Sequence, residues 1–233
     1  MGSGQRIADR NRTGPVSAPP ASGACVPPRR SPMTFADLVR WRRDVRRFKT
    51  DPVPEPLLQQ VLDLADLAPS VGNSQPWRIV RIESPDLRQA ARDNFMAANA
   101  AAAEIYGDER RAAYESLKLA GFDTAPVHLA VFCDGGAAQG QGLGRQTMPE
   151  TLDFSCVSMI TLLWLAARDV GLGLGWVSIL APQPLIAKLA VPADWRFIGY
   201  LLVGWPQEEH LDPELERAGW QARTDAGTRR LRR

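Results

Sequence analysis

Gly171-Leu-Gly-Leu-Gly-Trp-Val-Ser178 is the stretch whose reading decides the fold. Glycines this dense invite comparison with a dinucleotide fingerprint, which has the spacing GxGxxG, follows a strand and opens a helix. Here the spacing is GxGxG. The residues before it, Phe154 to Ala167, are 14 uncharged positions bounded by Asp153 and Arg168 and have the length of a helix. The residues after it, Trp176-Val-Ser-Ile-Leu180, read as a strand. A helix entering a strand is the reverse of the dinucleotide order, and Gly140, Gly142 and Gly144 fail on spacing too. A Rossmann site is rejected.

Working outward, Thr34 can N-cap a helix from Phe35 to Trp41. Leu58, Val61, Leu62 and Ala65 recur at i, i+3, i+4 and i+7 in a helix from Glu55 to Ala68, ended by Pro69. Trp77 to Glu83 reads as a strand; Ser84-Pro85-Asp86 then opens a helix with a cap, a proline and an early acid, continuing to Tyr106. A further helix spans about Asp108 to Leu119, and Val127 to Cys133 is a buried strand. Asp134 to Gly144, with five Gly in eleven residues, reads as a mobile loop. A short helix around Leu185 to Leu189 and a strand from Phe197 to Val203 complete the order α-α-β-α-α-β-α-β-α-β. That order predicts one layered α+β domain. The helix over Phe154 to Ala167 is apolar on nearly every side and needs cover all round, in the core or at a subunit interface.

The chain has 233 residues, 45% of them hydrophobic, which suits a single domain. Its formal net charge of +2 hides an uneven distribution. Residues 1–33 hold five Arg and one Asp, and the end carries Arg229, Arg230, Arg232 and Arg233. The body between is acidic, so a nucleic-acid-binding function is not expected. Residues 1–33 also carry six Pro and four Gly and read as a disordered extension. His128 and His210 stand alone and Cys25, Cys133 and Cys156 form no CxxC, so no metal site is expected and the thiols suit a reducing cytoplasm. The longest charge-free run, Val170 to Ala187, contains three Gly and two Pro, so no membrane span is expected.

Two segments concentrate chemistry. Arg40-Trp-Arg-Arg-Asp-Val-Arg-Arg-Phe-Lys49 has six basic residues around Asp44. Such a run can be a solvated helix end, but five of the six are Arg, whose planar fork grips phosphate, and the surrounding body is acidic. A focused anion site fits better, with Asp44 held ionised by its neighbours. Ala68-Pro-Ser-Val-Gly-Asn-Ser-Gln-Pro-Trp77 is either an ordinary loop or a polar lining for a planar ligand. Ser178 reads as a core hydroxyl on a buried strand unless a ligand sits beside it.

Taken together, Arg42-Arg-Asp-Val-Arg46, Ala68-Pro-Ser-Val-Gly72 leading to Gln75-Pro-Trp77, and Gly173-Leu-Gly-Trp-Val-Ser-Ile179 resemble the nitroreductase-like flavoproteins. Asp44, where ordinary members usually have Ser, and segments such as Leu163-Trp-Leu-Ala-Ala-Arg168 and Gly219-Trp220 are similar to the branch that fragments FMN. The resemblance implies a nitroreductase-like FMN-binding fold, a central, mainly antiparallel sheet flanked by helices. That domain covers 34–225, between the extension 1–33 and a basic tail 226–233. The implied reaction is oxygen-dependent fragmentation of reduced FMN to 5,6-dimethylbenzimidazole and erythrose 4-phosphate, for the lower ligand of cobalamin. FMN is then the substrate and O2 the co-substrate, without a metal. The alternatives are a conventional FMN-dependent NAD(P)H nitro or enone reductase and a non-catalytic flavin carrier. The resemblance further implies that Arg42, Arg43, Asp44, Val45, Arg46, Pro69, Ser70, Gly72, Ser178 and Arg223 hold the flavin, with Asp44 and Ser178 acting in the chemistry. It implies a cytoplasmic homodimer with FMN between subunits, supplied by a separate NAD(P)H flavin reductase.

Overall fold

A computed structural model describes residues 33–117, 120–230 and 232. The extension expected over 1–33 lies outside the described residues apart from Met33, as do Lys118 and Leu119. Helix α1, Phe35–Trp41, begins where the cap residue placed it: Thr34 Oγ1 accepts from Asp37 N at 3.2 Å. Helix α2, Glu55–Ala65, stops three residues before the expected Ala68. The Leu67 and Ala68 amides turn back to the carbonyls of Leu64 and Ala65, tightening the end into a 3-10 turn ahead of Pro69.

The sheet has four strands: β1 Trp77–Arg81, β2 Val127–Asp134, β3 Gly173–Val177 and β4 Trp195–Gly204. Their spatial order is β1-β2-β4-β3, and every pair is antiparallel. Strand β3 starts and ends three residues earlier than the expected Trp176 to Leu180, because Gly173 and Gly175 are ladder positions and not a turn. Helices α3 Pro85–Ala103, α4 Asp108–Ser116, α5 Gly121–Thr124, α6 Thr151–Asp169, α7 Pro182–Leu189 and α8 Glu214–Arg217 complete the chain.

Period-2 alternation along β2 divides the core in two. Leu129, Val131 and Cys133 face Leu58 and Val61 of α2 and Met159, Ile160 and Leu163 of α6. Ala130 and Phe132 face Phe95 of α3 and Leu185 of α7. Helices therefore cover both faces of the sheet, an α+β architecture. Each fully buried Leu, Ile or Met contributes roughly 1.5–3 kcal/mol, and α6 supplies three of them, so it is the central helix. Its opposite side stands open among the described residues: Phe154 is 55% and Val157 39% exposed. Among the described residues α6 is the one helix long and apolar enough to cross a membrane, and half of that apolar window is buried in the fold.

The glycine-rich segment is a largely exposed loop, as read, that touches the turn at Gly72 and Asn73. Gln139 Nε2 donates to Asn73 O at 2.8 Å, and a Cβ on Gly140 would stand 2.7 Å from Gly72 O. Gly72 itself has φ +58°, and the two glycines let the backbones touch.

His128, in the second core, meets Tyr200 Oη at 2.9 Å and Ala125 O at 3.1 Å. Burial, with Arg88 nearby, pushes its pKa down to about 4. The folded state therefore binds this proton less readily than the unfolded chain. Stability is complete above the ordinary histidine pKa and is lost as pH falls from about 6.5 toward 4. Unfolding by urea should show about 2 kcal/mol less stability at pH 5 than at pH 7.5. His128→Gln, which cannot charge, should remove that part of the slope; an unchanged slope would show that other groups produce it.

Candidate functional site

The arginine segment leaves α1 as an extended chain and lies along the outer edge of β3. Val45 N donates to Leu174 O at 3.1 Å, and Asp44 and Leu174 form an isolated parallel bridge. Farther on, Lys49 N donates to Trp205 O and Gln207 N to Arg47 O. This contact explains the glycine run. A Cβ on Gly175 would stand 2.2 Å from Val45 O, and one on Gly173 would stand 2.7 Å from Val45 Cγ2. The glycines that imitate a dinucleotide fingerprint are the bed on which the arginine segment rests.

That bed positions Asp44. Its Oδ1 accepts from Trp176 N at 3.1 Å and its Oδ2 from Arg46 Nε at 3.4 Å. Arg46 favours the ionised form, as expected of a neighbouring arginine, but its effect is not the largest one. Burial raises the carboxyl above the usual range, outweighing the Trp176 amide and Arg46, and Glu214 adds to the rise. The guanidiniums are mostly turned elsewhere. Arg46 also reaches Glu214 at 3.8 Å, while Arg47 pairs with Glu208 and with Glu214 at 3.2 Å.

Arg42 and Arg43 behave differently. Arg42 stacks 4.6 Å from the Trp164 ring, and Arg43 Nη1 donates to Arg42 O at 2.6 Å while its buried Nε has no partner. Both have lowered proton affinity, through burial first and the nearby charge of Arg223. Arg223 comes from the segment after α8. Among the described residues, none of these three guanidiniums has a carboxylate within 4.0 Å. Asp44 favours the charge of Arg42 and Asp212 that of Arg43, but among the described residues no carboxylate pairs with them at contact distance, and guanidiniums so placed are the chain's candidate anion contacts.

Ser178 is exposed and lies one residue past the end of β3, so the reading as a buried core hydroxyl is corrected. It follows Trp176, whose amide holds Asp44, by two residues, at most about 7 Å of chain. Val45 is engaged by its amide with Leu174 and by its side chain with Gly173. Pro69, Ser70 and Gly72 form the turn between α2 and β1, where Ser70 Oγ accepts from Gln75 N and Val71 N donates to Ser155 Oγ, both at 3.0 Å. Ser155 and Trp164 are nine residues apart on α6, about 13 Å of helix rise. One chain thus does not bring this turn to the arginines.

Sequence reasoning missed Trp164, Trp176 and Glu214. Trp164 Nε1 donates to Arg43 O at 3.2 Å, and the Trp176 indole lies so close to Gly199 that a Cβ there would clash. The glycine at 199 opposite an aromatic was the available signal for Trp176. Glu214 lies in Pro213-Glu-Leu215, one of the segments that carry the resemblance, but at 167 residues from Arg47 its partner was not readable.

A family model described as the nitroreductase family matches residues 39–205. The chain belongs to the nitroreductase family. Among curated relatives it is similar to the 5,6-dimethylbenzimidazole synthase of Rhodospirillum rubrum, 56% identical over 186 residues, covering 80% of this chain and 88% of the relative. A 5,6-dimethylbenzimidazole synthase of Rhodobacter capsulatus is 48% identical over 187 residues, covering 80% and 90%. Solved structures share the fold. Oxidized iodotyrosine deiodinase bound to FMN and 3-iodo-L-tyrosine superposes with a TM-score of 0.65 at 24% identity, covering 76% of this chain and 92% of that one. A nitroreductase family protein from Clostridium difficile gives 0.62 at 21%, covering 85% and 98%.

Proposed function

We propose that this enzyme fragments reduced FMN with O2, releasing 5,6-dimethylbenzimidazole and erythrose 4-phosphate. The observation that carries the reading is the gathering of Arg42, Arg43 and Arg223, with no carboxylate paired to them, beside the half-buried Asp44. The names of the R. rubrum and R. capsulatus relatives support it. The donor set fits the ligand: three guanidiniums, one with an orphaned buried Nε, suit a phosphate dianion. Reduced FMN, when bound, supplies both the electrons for O2 and the carbon atoms of the product.

The chain's own residues then divide the work. Arg42, Arg43 and Arg223 hold the phosphate, and Arg46 steadies Asp44. Asp44 accepts a proton; its raised pKa makes it a stronger base than an ordinary carboxylate while Trp176 N fixes one oxygen. The Ser178 hydroxyl, exposed at the end of β3, donates a hydrogen bond to the reacting ring. Pro69, Ser70 and Gly72 line the flavin from a second copy of the chain, which accounts for their distance from the arginines. The exposed Phe154 and Val157 side of α6 then becomes homodimer core. Reducing equivalents come from a separate NAD(P)H flavin reductase in the cytoplasm.

The test is incubation of purified protein with chemically reduced FMN in air, followed by mass spectrometry. Dimethylbenzimidazole should accumulate, and Ser178→Gly should bind flavin yet form at least tenfold less. Reoxidation of FMN with no fragmentation would overturn the assignment, and steady NAD(P)H oxidation with intact flavin would favour a conventional reductase.

A further inference from the structure

The segment that delivers Arg223 is tied down at two places. Near its start, Glu208 and Glu214 pair with Arg47. Farther on, Trp220 is half-buried in an aromatic cluster supplied by a different part of the chain. Tyr106, between α3 and α4, meets the Trp220 ring edge-on at 5.3 Å, and Tyr114 of α4 lies 6.1 Å from it. The two tyrosines are themselves 5.2 Å apart, and Arg110 stands over the indole at 5.4 Å. The chain reaches this position by a tight turn after α8. Gly219 takes φ +69°, and the Trp220 and Gln221 amides both donate to Leu215 O.

Arg223 follows three residues later, too short a span to wander more than about 10 Å from the indole. It is exposed, and among the described residues no carboxylate pairs with it. Its charge lies near enough to Arg42 and Arg43 to lower the proton affinity of both, against the opposing charges of Asp44 and Asp212. Something must hold the third cation there, and the aromatic anchor is the contact that does so. Edge-to-face aromatic pairs and a cation over an indole are favourable beyond their area burial.

We propose that Trp220 is a positioning residue whose seat on Tyr106, Tyr114 and Arg110 holds Arg223 against Arg42 and Arg43 to complete the phosphate grip. The inference rests on the reading of that cluster as the FMN phosphate site. It also means that α4 and the phosphate site are mechanically linked, because α4 supplies Tyr114 and Arg110.

The experiment compares the affinities of FMN and riboflavin, which differ by the phosphate, using flavin fluorescence quenching on the full chain. The unaltered protein should prefer FMN. Arg223→Ala should cut that preference by about tenfold, as loss of one charge-assisted contact does. Trp220→Ala should cut it by a similar factor, leave riboflavin affinity unchanged, and add nothing when combined with Arg223→Ala. Trp220→Phe, which keeps an aromatic seat, should restore most of it. A Trp220→Ala protein with the full FMN preference, or effects that multiply in the double variant, would overturn the inference. If that protein does not fold, Tyr106→Ala gives the same comparison. Equal binding of FMN and riboflavin by the unaltered chain would overturn the underlying phosphate site instead.

Discussion

Asp44→Asn should form dimethylbenzimidazole about 10² to 10⁴-fold more slowly than the unaltered protein while still binding FMN. Asn keeps an oxygen for the Trp176 amide, so the arginine segment stays on β3 and only the proton acceptor is lost. Stability separates this outcome from misfolding. Burial raises the Asp44 carboxyl, so the folded state binds its proton more tightly than the unfolded chain does. The ionised form therefore costs stability, and the cost appears as pH rises above the ordinary Asp value and is complete above the raised one. At pH 7.5 the Asn variant should unfold at a temperature no lower than the unaltered protein, with the difference shrinking toward pH 4. An Asn variant that melts well below it at pH 7.5 would show that the carboxylate is a net structural asset. Unchanged turnover would remove Asp44 from the reaction.

Gly175→Ala should cost both stability and flavin binding. The added Cβ would meet the Val45 carbonyl oxygen at 2.2 Å, and neither partner is a flexible side-chain end. The segment must lift, which breaks the Val45 to Leu174 bond and draws Asp44 away from Trp176. Overpacking of this kind costs about 1–3 kcal/mol, and with the arginines displaced FMN affinity should fall at least about 100-fold, the loss of two charge-assisted contacts. Equilibrium unfolding and flavin titration on the same protein check both numbers. Gly107→Ser, at the N-cap of α4 with nothing within 4 Å of a new Cβ, is the control and should change neither. A Gly175→Ala protein with intact FMN binding would show that the segment reaches the flavin by another route.

Much of this arrangement was legible in the sequence. Thr34 marked the first helix, the i, i+3, i+4 spacing of Leu58, Val61 and Leu62 marked the second, and the mostly apolar run in β2, interrupted by His128, marked a buried strand. The arginine cluster drew attention to Asp44 and its neighbours through composition alone. What stayed hidden depended on approach between distant segments. Gly173 and Gly175 read as lying ahead of the strand, and nothing local showed that Val45 would lie on them. Which arginine would reach Asp44 stayed hidden because spacing cannot show which way guanidiniums point; Arg47 turns to Glu208 and Glu214, and burial outweighs Arg46 at the carboxyl. The strand end that exposes Ser178 was misplaced because glycine has no side chain to show period-2 alternation.

Strand β3 is the outermost strand of the sheet, short, apolar and glycine-bearing, and a free edge of that composition is a template onto which another chain can add a strand. The arginine segment occupies part of that edge through Val45 and lines it with charge. The residues proposed to grip the phosphate thus also cover part of an edge strand, so a variant that frees the segment should aggregate as well as lose turnover.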